Sequence, residues 1–278
     1  MKSIAIVFLA FVLGGCTYSM QIPETSETPK LMPRGSTYTD LISLPQPRGK
    51  ILVSVYDFRD QTGQYKPQPN SNFSTAVPQG GTSLLTTSLI DSQWFVPLER
   101  EGLQNLLTER KIIRAAQKKD KVVNNHGADL TSLSSANIVI EGGIVAYDSN
   151  IVTGGAGAKY LGIGGSGQYR TDQVTVNLRA VDVRTGQVLL SVTTTKTISS
   201  HEIGFGAFRF VDYKELLEVE MGYSQNEPVN IAVMSAIDAA VIHLIVKGMK
   251  RGMWSPGDPN ALENPIIARY SEASTDIL

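Results

Sequence analysis

The 278-residue sequence contains a single cysteine, Cys16, so the chain can form no disulfide bond within itself. Charged residues make up only 18% of the chain, below the roughly one quarter of a typical soluble domain. The formal net charge is −1. A protein that binds nucleic acid needs a basic surface, which this composition does not favour. The single cysteine therefore excludes a disulfide scaffold, and the lack of excess positive charge argues against nucleic acid as a partner.

The common nucleotide and nucleophile motifs are also missing. The sequence contains neither a G-x-x-x-x-G-K-[ST] phosphate loop nor a G-x-S-x-G elbow. Residues 162–167 fit G-x-G-x-x-G, but the alternating residues that follow predict a strand where a dinucleotide site needs a helix. The three histidines, His126, His201 and His243, lie far apart without a metal ligand at useful spacing. We expect no catalysis, no metal and no cofactor.

No apolar run after the first 15 residues is clean enough for a membrane-spanning helix. The best candidate, 229–246, contains Asn230, Asp238 and His243, each costly at the centre of a bilayer. We interpret it as a buried helix of a soluble core. Any spanning structure would then have to be a closed β-barrel, because lipid offers no partner to exposed backbone groups.

The N-terminus has the pattern of a secretory signal peptide over residues 1–15, with Lys2 before an apolar run and small residues. The sequence LGGC that ends at Cys16 resembles the lipobox of bacterial lipoproteins, in which the cysteine is acylated. In such proteins a residue like Thr17, rather than aspartate, favours sorting to the outer membrane. We expect a lipid on Cys16, followed by an extended tether over 16–47 that is rich in Pro, Thr and Ser.

Two stretches, 150–171 and 201–223, predict transmembrane β-hairpins. The first is rich in glycine with interspersed Ile and Tyr, and the second alternates apolar odd positions with charged or small even positions. Each has room for two strands of about 9–11 residues, the spanning length of a tilted strand. Amphipathic hairpins also occur in soluble domains. We expect a turn at 208–210, lipid contact at Ile203, Phe205, Leu217 and Val219, and a lumen-facing set comprising Lys159, Glu202, Asp212, Glu218 and Glu220.

The remaining segments, 48–149, 172–200 and 224–253, predict an α+β domain. A long connection at 59–79 has no pattern of its own, which favours a functional role. The tail at 254–278 carries a weak helical or strand pattern. Strands are predicted at 50–57, 94–98, 138–147, 173–183 and 187–199, and helices at 82–90, 100–117 and 228–248.

Several long motifs resemble the CsgG family, the lipoprotein channels that secrete curli subunits through the bacterial outer membrane. The resemblance runs from Cys16 to about Arg251. It rests on LMPR at 31–34, TGQYKPQP and SNFSTAVPQ within 62–79, VPLER and GLQNLLTERKIIRAAQ within 96–117, KY and GIG within 159–164, FRF and DY within 208–213, and NEPV at 226–229.

The resemblance implies that each subunit contributes two hairpins to a shared barrel of about nine subunits, above a periplasmic ring of α+β domains. It implies ATP-independent diffusion of unfolded curli subunits, with a periplasmic cap adaptor and a surface accessory protein as partners. The connection at 61–79 matches the family's constriction loop, which presents an aromatic, an asparagine and a phenylalanine ring. Asn72 and Phe73 match, whereas Gln68 stands where the family has the aromatic residue.

Two other classes stay open from the residues alone. A monomeric outer-membrane lipoprotein could bind a periplasmic partner such as a wall-synthesis enzyme, which would leave the amphipathic hairpins unused. A dinucleotide enzyme has only the glycine pattern at 162–167 in its favour. The native mass separates the first class from a ring, which would be many-fold heavier than a 30.1 kDa monomer.

Overall fold

A computed structural model describes residues 28–66, 74–123, 130–152, 158–160, 163–212, 215–225 and 229–272. The fold is mixed α and β, as predicted. Within the described residues the elements are α1 Ser36–Ile42, β1 Ile51–Asp60, α2 Gly81–Asp91, β2 Phe95–Leu98, α3 Leu103–Val123, β3 Ile138–Val152, β4 Ala158–Tyr160, β5 Ile163–Asp182, β6 Val188–Asp212, β7 Glu215–Gln225, α4 Val229–Lys250, a 3-10 helix Pro259–Glu263 and α5 Pro265–Glu272.

Each strand and helix predicted for the domain is present, with boundaries that differ by a few residues except where strands continue into the predicted hairpins. The turn predicted at 208–210 is wrong, because β6 continues to Asp212 and β7 begins at Glu215. The sequence Phe-Arg-Phe at 208–210 has strand-forming aromatics and none of the residues that favour turns.

The extended tether predicted over 16–47 is also wrong in its second half, where α1 forms. Leu41 at the end of α1 is fully buried, and Leu44 just beyond it is 4% exposed. Two apolar residues three positions apart lie on one side of a helical turn, so this segment gains burial by coiling against the core.

The strands form one sheet in the order β2-β1-β3-β5-β6-β7, with the short β4 paired to β5. β1 runs parallel to β2 and β3. The remaining neighbours, from β3 to β7, are antiparallel. One half of the sheet is therefore built by crossover connections and the other half by a meander of long hairpins.

Helix α4 covers one face of the sheet. Val174, Val176 and Leu178 of β5 are fully buried on that face. The Thr194 hydroxyl of β6 donates to the Ala236 carbonyl of α4 at 2.8 Å. The helix is long and apolar enough to cross a membrane, but 72% of its most apolar window is buried in the domain. It is a core helix, as predicted.

The end of α4 makes a close contact that one added methyl group would break. A Cβ atom at Gly248 would lie 1.9 Å from Cζ2 of Trp254. The indole is itself fixed, because its Nε1 donates to the Ile245 carbonyl at 2.8 Å and its ring packs edge-on against Phe95. We expect Gly248→Ala to lower the free energy of unfolding by about 3 kcal/mol, since a fixed ring in a packed core cannot move away cheaply.

Urea unfolding followed by tryptophan fluorescence measures this cost, because Trp94 and Trp254 are both buried. Gly257→Ala is the control, since its Cβ would meet no atom closer than 3.4 Å. We expect the control to change stability by less than about 0.5 kcal/mol. Equal stability of the two variants would contradict the close contact.

Candidate functional site: the extended sheet and the loop stem

The predicted hairpins are the far ends of the long strands of the domain. β3 pairs with β5 from Ile138 opposite Asp182 to Val152 opposite Tyr169. β5 pairs with β6 as far as Ile163 opposite Ala207. β7 adds to the upper part of β6 only, starting at His201 opposite Gln225. β3 and then β4 pair with the same edge of β5. The sheet that continues beyond the end of the domain is therefore four strands wide, with β3 or β4 at one edge, β5 and β6 in the middle and β7 at the other edge.

The pairing fixes which positions share a face of this extension. Lys159 is opposite Gly164, Gly164 is opposite Gly206, and Gly206 is opposite Glu220. Directly opposed positions share a face, and alternate positions along a strand return to it. Glu202 and Glu218 therefore share this face. Asp212 lies beyond a register irregularity, opposite Glu215, so the pairing does not assign it to a face. That this face lines a lumen stays a prediction.

The intervening positions form the opposite face, which is apolar in sequence. Ile203 is opposite Tyr223, Phe205 is opposite Met221, and Ala207 is opposite Val219. The next pair is Arg209 opposite Leu217, and Arg209 is the one charged residue among these eight positions. The register therefore separates the apolar and the acidic positions of the second hairpin, as the sequence alternation predicts.

The face of the extension that carries Glu202, Glu218 and Glu220 is called the acidic face. It continues into the face of the domain sheet that α4 covers. Along β6, alternate positions lead from Glu202 down to Thr194 and Val192, which are buried against α4. α4 begins at Val229, shortly after the end of β7. α4 thus lies on the same side of the sheet as the acidic positions, and its first residues are close to the point where the extension leaves the domain. A segment that projects from the domain on the α4 side at this point therefore also lies on the side of the acidic positions.

The connection between β1 and α2 projects from the domain on the α4 side of the sheet. Its ends form a short antiparallel stem, in which Tyr65 and Thr75 pair. The Lys66 amide donates to the Ser74 carbonyl at 2.8 Å, and the Ala76 amide donates to the Gln64 carbonyl at 2.9 Å. These two backbone hydrogen bonds form the bridge, and they fix the two ends of the connection, Tyr65 and Thr75, side by side.

Asp60 at the end of β1 holds the stem to the domain. Its carboxylate accepts from the Thr62 amide at 2.8 Å, from the Thr62 hydroxyl at 2.7 Å and from Gln79 Nε2 at 3.0 Å. Val77 is 2% exposed and anchors the returning strand in the core. A cavity of about 650 Å³ separates the stem from Val229 and Asn230 at the start of α4.

The loop carried by this stem, 67–73, lies outside the described residues. It contains the three residues predicted to form the constriction, Gln68, Asn72 and Phe73. Cys16 also lies outside the described residues. The side chains of Lys159 and of the acidic positions are not described either, so these residues are located by strand register alone.

At the level where the sheet leaves the domain, a tyrosine and an aspartate form a buried pair. The Tyr147 hydroxyl donates to Asp172 Oδ2 at 3.0 Å. The two residues are 5% and 6% exposed. A register shift between Ile144 and Ala146 in β3 lies just before this pair. Sequence reasoning missed the pair because its members are 25 residues apart on different strands.

Three charged residues form a second cluster that sequence reasoning missed, at the contact between α1, α2 and α4. Arg34 donates to Asp91 Oδ2 at 2.8 Å and approaches Asp238 Oδ1 at 3.9 Å. Burial raises the pKa of Asp238 to about 6, against the lowering effects of a hydrogen bond from Ser88 and of Arg34. The sequence offered one signal, an aspartate inside the apolar run of α4.

α5 is joined to α1 by a separate set of contacts. Asp40 accepts from Arg269 at 2.6 Å and from the Tyr270 hydroxyl at 2.9 Å. The Tyr270 ring lies edge-on against His243, with ring centroids 5.0 Å apart. Burial lowers the pKa of His243, with a further contribution from Lys247, so the imidazole favours its neutral form.

Comparison with known proteins identifies the family. The family model for the curli production assembly/transport component CsgG matches residues 34–274. The curli production assembly/transport components of Salmonella typhimurium strain LT2 and of Escherichia coli strain K12 are each 52% identical to this chain over 274 residues, covering 99% of this chain and 98% of each relative. The chain therefore belongs to the CsgG family of curli production assembly/transport components.

Proposed function

We propose that this protein is an outer-membrane lipoprotein that forms an oligomeric, ATP-independent channel for unfolded curli subunits. In this proposal Cys16 carries the lipid, and the four-stranded extension of each subunit contributes to a shared transmembrane β-barrel. The acidic face lines the lumen and the apolar face contacts lipid. The loop at 67–73 narrows the passage at the base of the barrel.

The observation that carries the proposal is the four-stranded extension with one apolar and one polar set of positions. Its two outer edges need partners. Among the described residues, β7 pairs only with β6, and β3 has no β1 partner after Ile144. Unpaired strand edges are not tolerated in lipid, so an extension that enters a membrane must join its edges to those of other copies. The two edges of the extension run in opposite directions. If β7 of one subunit pairs with β3 and β4 of the next subunit, the pairing is antiparallel, as an antiparallel barrel requires.

The loop stem supports the second part of the proposal. It lies on the α4 side of the sheet, which continues into the face with Glu202, Glu218 and Glu220. If that face surrounds a lumen, the copies of the loop meet below it. The family relationship adds a transport role in curli production. The sequence has no phosphate loop, so movement of the substrate is diffusion biased by confinement on one side and release on the other.

The native mass of the detergent-purified lipoprotein tests the assembly. We expect a ring of about nine subunits, and single channels when the ring is added to a planar bilayer. A particle with the mass of a single lipid-modified chain, without channel activity, would contradict the proposal and would favour a lipoprotein that only binds a periplasmic partner.

The constriction makes a separate prediction. Phe73→Ala removes a ring of phenyl groups from the narrowest part of the passage and should raise single-channel conductance. Gln68→Tyr restores the aromatic layer that this chain lacks relative to its family and should lower conductance. Both variants should assemble like the wild type, because the loop lies outside the barrel strands. Unchanged conductance of both assembled variants would remove residues 67–73 from the passage.

A further inference from the structure

The start of the domain is held by charged side chains from three segments. We propose that Arg34, Asp91 and Asp238 form a clamp that fixes the entry of the chain against α4 and loosens when Asp238 takes up a proton. Arg34 is the first residue of the compact domain, Asp91 is the last residue of α2, and Asp238 lies within α4. The proposal depends on the proposed function only because the chain before Arg34 would lead to the lipid on Cys16.

The guanidinium of Arg34 is held from several directions. Its Nη2 lies 2.8 Å from Asp91 Oδ2, and its Nη1 lies 3.9 Å from Asp238 Oδ1. The group also stacks over the Tyr38 ring at 4.6 Å. The side chain of Arg34 is only 20% exposed. A cation this well enclosed is screened little by salt, so each carboxylate matters to its position.

The backbone next to Arg34 touches α4 directly. A Cβ atom at Gly35 would lie 2.1 Å from the hydroxyl of Ser235, one turn before Asp238. The clamp therefore brings a main-chain segment, and not only a long side chain, onto the helix. Loss of the charge contact would free this main-chain segment from its place beside Ser235.

Asp238 is poorly stabilised as an anion in this position. It is fully buried, and its Oδ1 accepts from the Ser88 hydroxyl at 2.5 Å. Asp238 Oδ2 and Arg34 Nη1 have no hydrogen-bond partner among the described residues. A buried carboxylate with one oxygen unsatisfied binds a proton more readily than an exposed one. Its pKa of about 6 agrees with this geometry.

The neighbouring charged groups favour Asp238 as the site of proton uptake. On the α1 and α5 sides, Asp40 is engaged by Arg269 and Tyr270. Burial lowers the pKa of His243 and raises that of Tyr270, so both favour their neutral forms. Two charged residues with described side chains lie on the face of the sheet that α4 covers. Asp172 accepts a hydrogen bond from Tyr147, and Lys196 has interactions of its own.

Protonation acts in opposite directions on the clamp and on the domain. At neutral pH two carboxylates attract Arg34, and after protonation of Asp238 only Asp91 does. The same protonation stabilises the folded domain, because it removes an unfavourable buried charge. Acidification should thus loosen the segment at Arg34 while the core becomes more stable. A purely structural ion pair would weaken both together.

Hydrogen–deuterium exchange of the detergent-purified lipoprotein tests the clamp at pH 7.5 and pH 5.0, with rates corrected for intrinsic exchange. We expect protection of peptides covering 34–42 to fall about fivefold at pH 5.0, because the contact of Arg34 with Asp238 is lost while its contact with Asp91 remains. Protection of α4 should stay constant or rise. Asp238→Asn should show the loosened state at both pH values, whereas Asp91→Asn should reduce protection at both and keep the pH dependence.

The proposal is overturned if Asp238→Asn retains the wild-type pH dependence at 34–42, or if the wild type shows none. Arg34→Met provides a second variant, which fills similar volume without charge and should also abolish the pH dependence. The exchange measurement requires no open pore. Failure of channel formation in a bilayer would therefore contradict the proposed function without contradicting the proposed clamp.

Discussion

Phe205→Arg should prevent assembly of the pore. Phe205 is opposite Met221 on β7 and opposite Gly165 on β5, so it occupies an inner strand of the extension. A guanidinium at the lipid-facing midplane of a barrel strand costs about 2–4 kcal/mol, and the ring repeats this cost in each of about nine subunits. We expect the variant to reach the outer membrane through its lipid but to form no ring in native mass measurements and no channels in a planar bilayer.

Glu220→Arg is the matched control for this prediction. It introduces the same side chain at the neighbouring position of the ladder, opposite Gly206, on the face proposed to line the lumen. This variant should assemble, and the exchange of one acidic ring for a basic ring should shift ion preference toward anions. If both variants assemble equally well, or both fail, the assignment of the two faces is wrong.

Asp238→Asn should raise the free energy of unfolding at neutral pH. The pKa of Asp238 rises from an ordinary 3.8 to about 6 on folding, chiefly through burial. A raised pKa means that the favourable contribution is complete below 3.8 and is lost as pH rises through about 6. At pH 7.5 the buried charge therefore costs about 3 kcal/mol. Asparagine keeps the shape and the acceptor for Ser88 without that charge.

Urea unfolding of the lipid-free Cys16→Ala chain, followed by tryptophan fluorescence at pH 4.5 and 7.5, measures this effect. The gain from Asp238→Asn should be large at pH 7.5 and small at pH 4.5, where the wild-type carboxyl is already protonated. Asp148→Asn is the control, because this aspartate of β3 is exposed. A gain that is the same at both pH values would contradict the buried anion.

The Asp238→Asn variant also separates two kinds of stability. Asp238→Asn should strengthen the domain as a whole and weaken the hold on Arg34. The expectation follows from the geometry, in which one carboxylate is at once an unfavourable buried charge and a favourable partner for a cation. A buried ion pair of this sort contributes to the position of a segment rather than to net stability.

Local pattern alone predicted most elements of the fold. The apolar, β-branched run at 50–57 and the turn residues at 184–186 predicted strands that are present. The apolar stretch at 229–246 predicted a core helix, because Asp238 and His243 argued against a membrane. The alternation at 201–223 predicted the two faces that the register of β6 and β7 separates. Each of these patterns depends only on residues that are close together in the chain, so the sequence is sufficient to predict the element.

The tertiary structure alone decided what depends on distant segments. Only the pairing of β3, β5, β6 and β7 revealed that the hairpins are continuations of domain strands that form one sheet. The helix at Ser36–Ile42 forms because Leu41 finds a core that is built much later in the chain. Tyr147 meets Asp172, and Arg34 meets Asp91 and Asp238, across separations that no local pattern encodes. Periodicity reports which face of an element is apolar, whereas the partner of that face is chosen by packing of the whole chain.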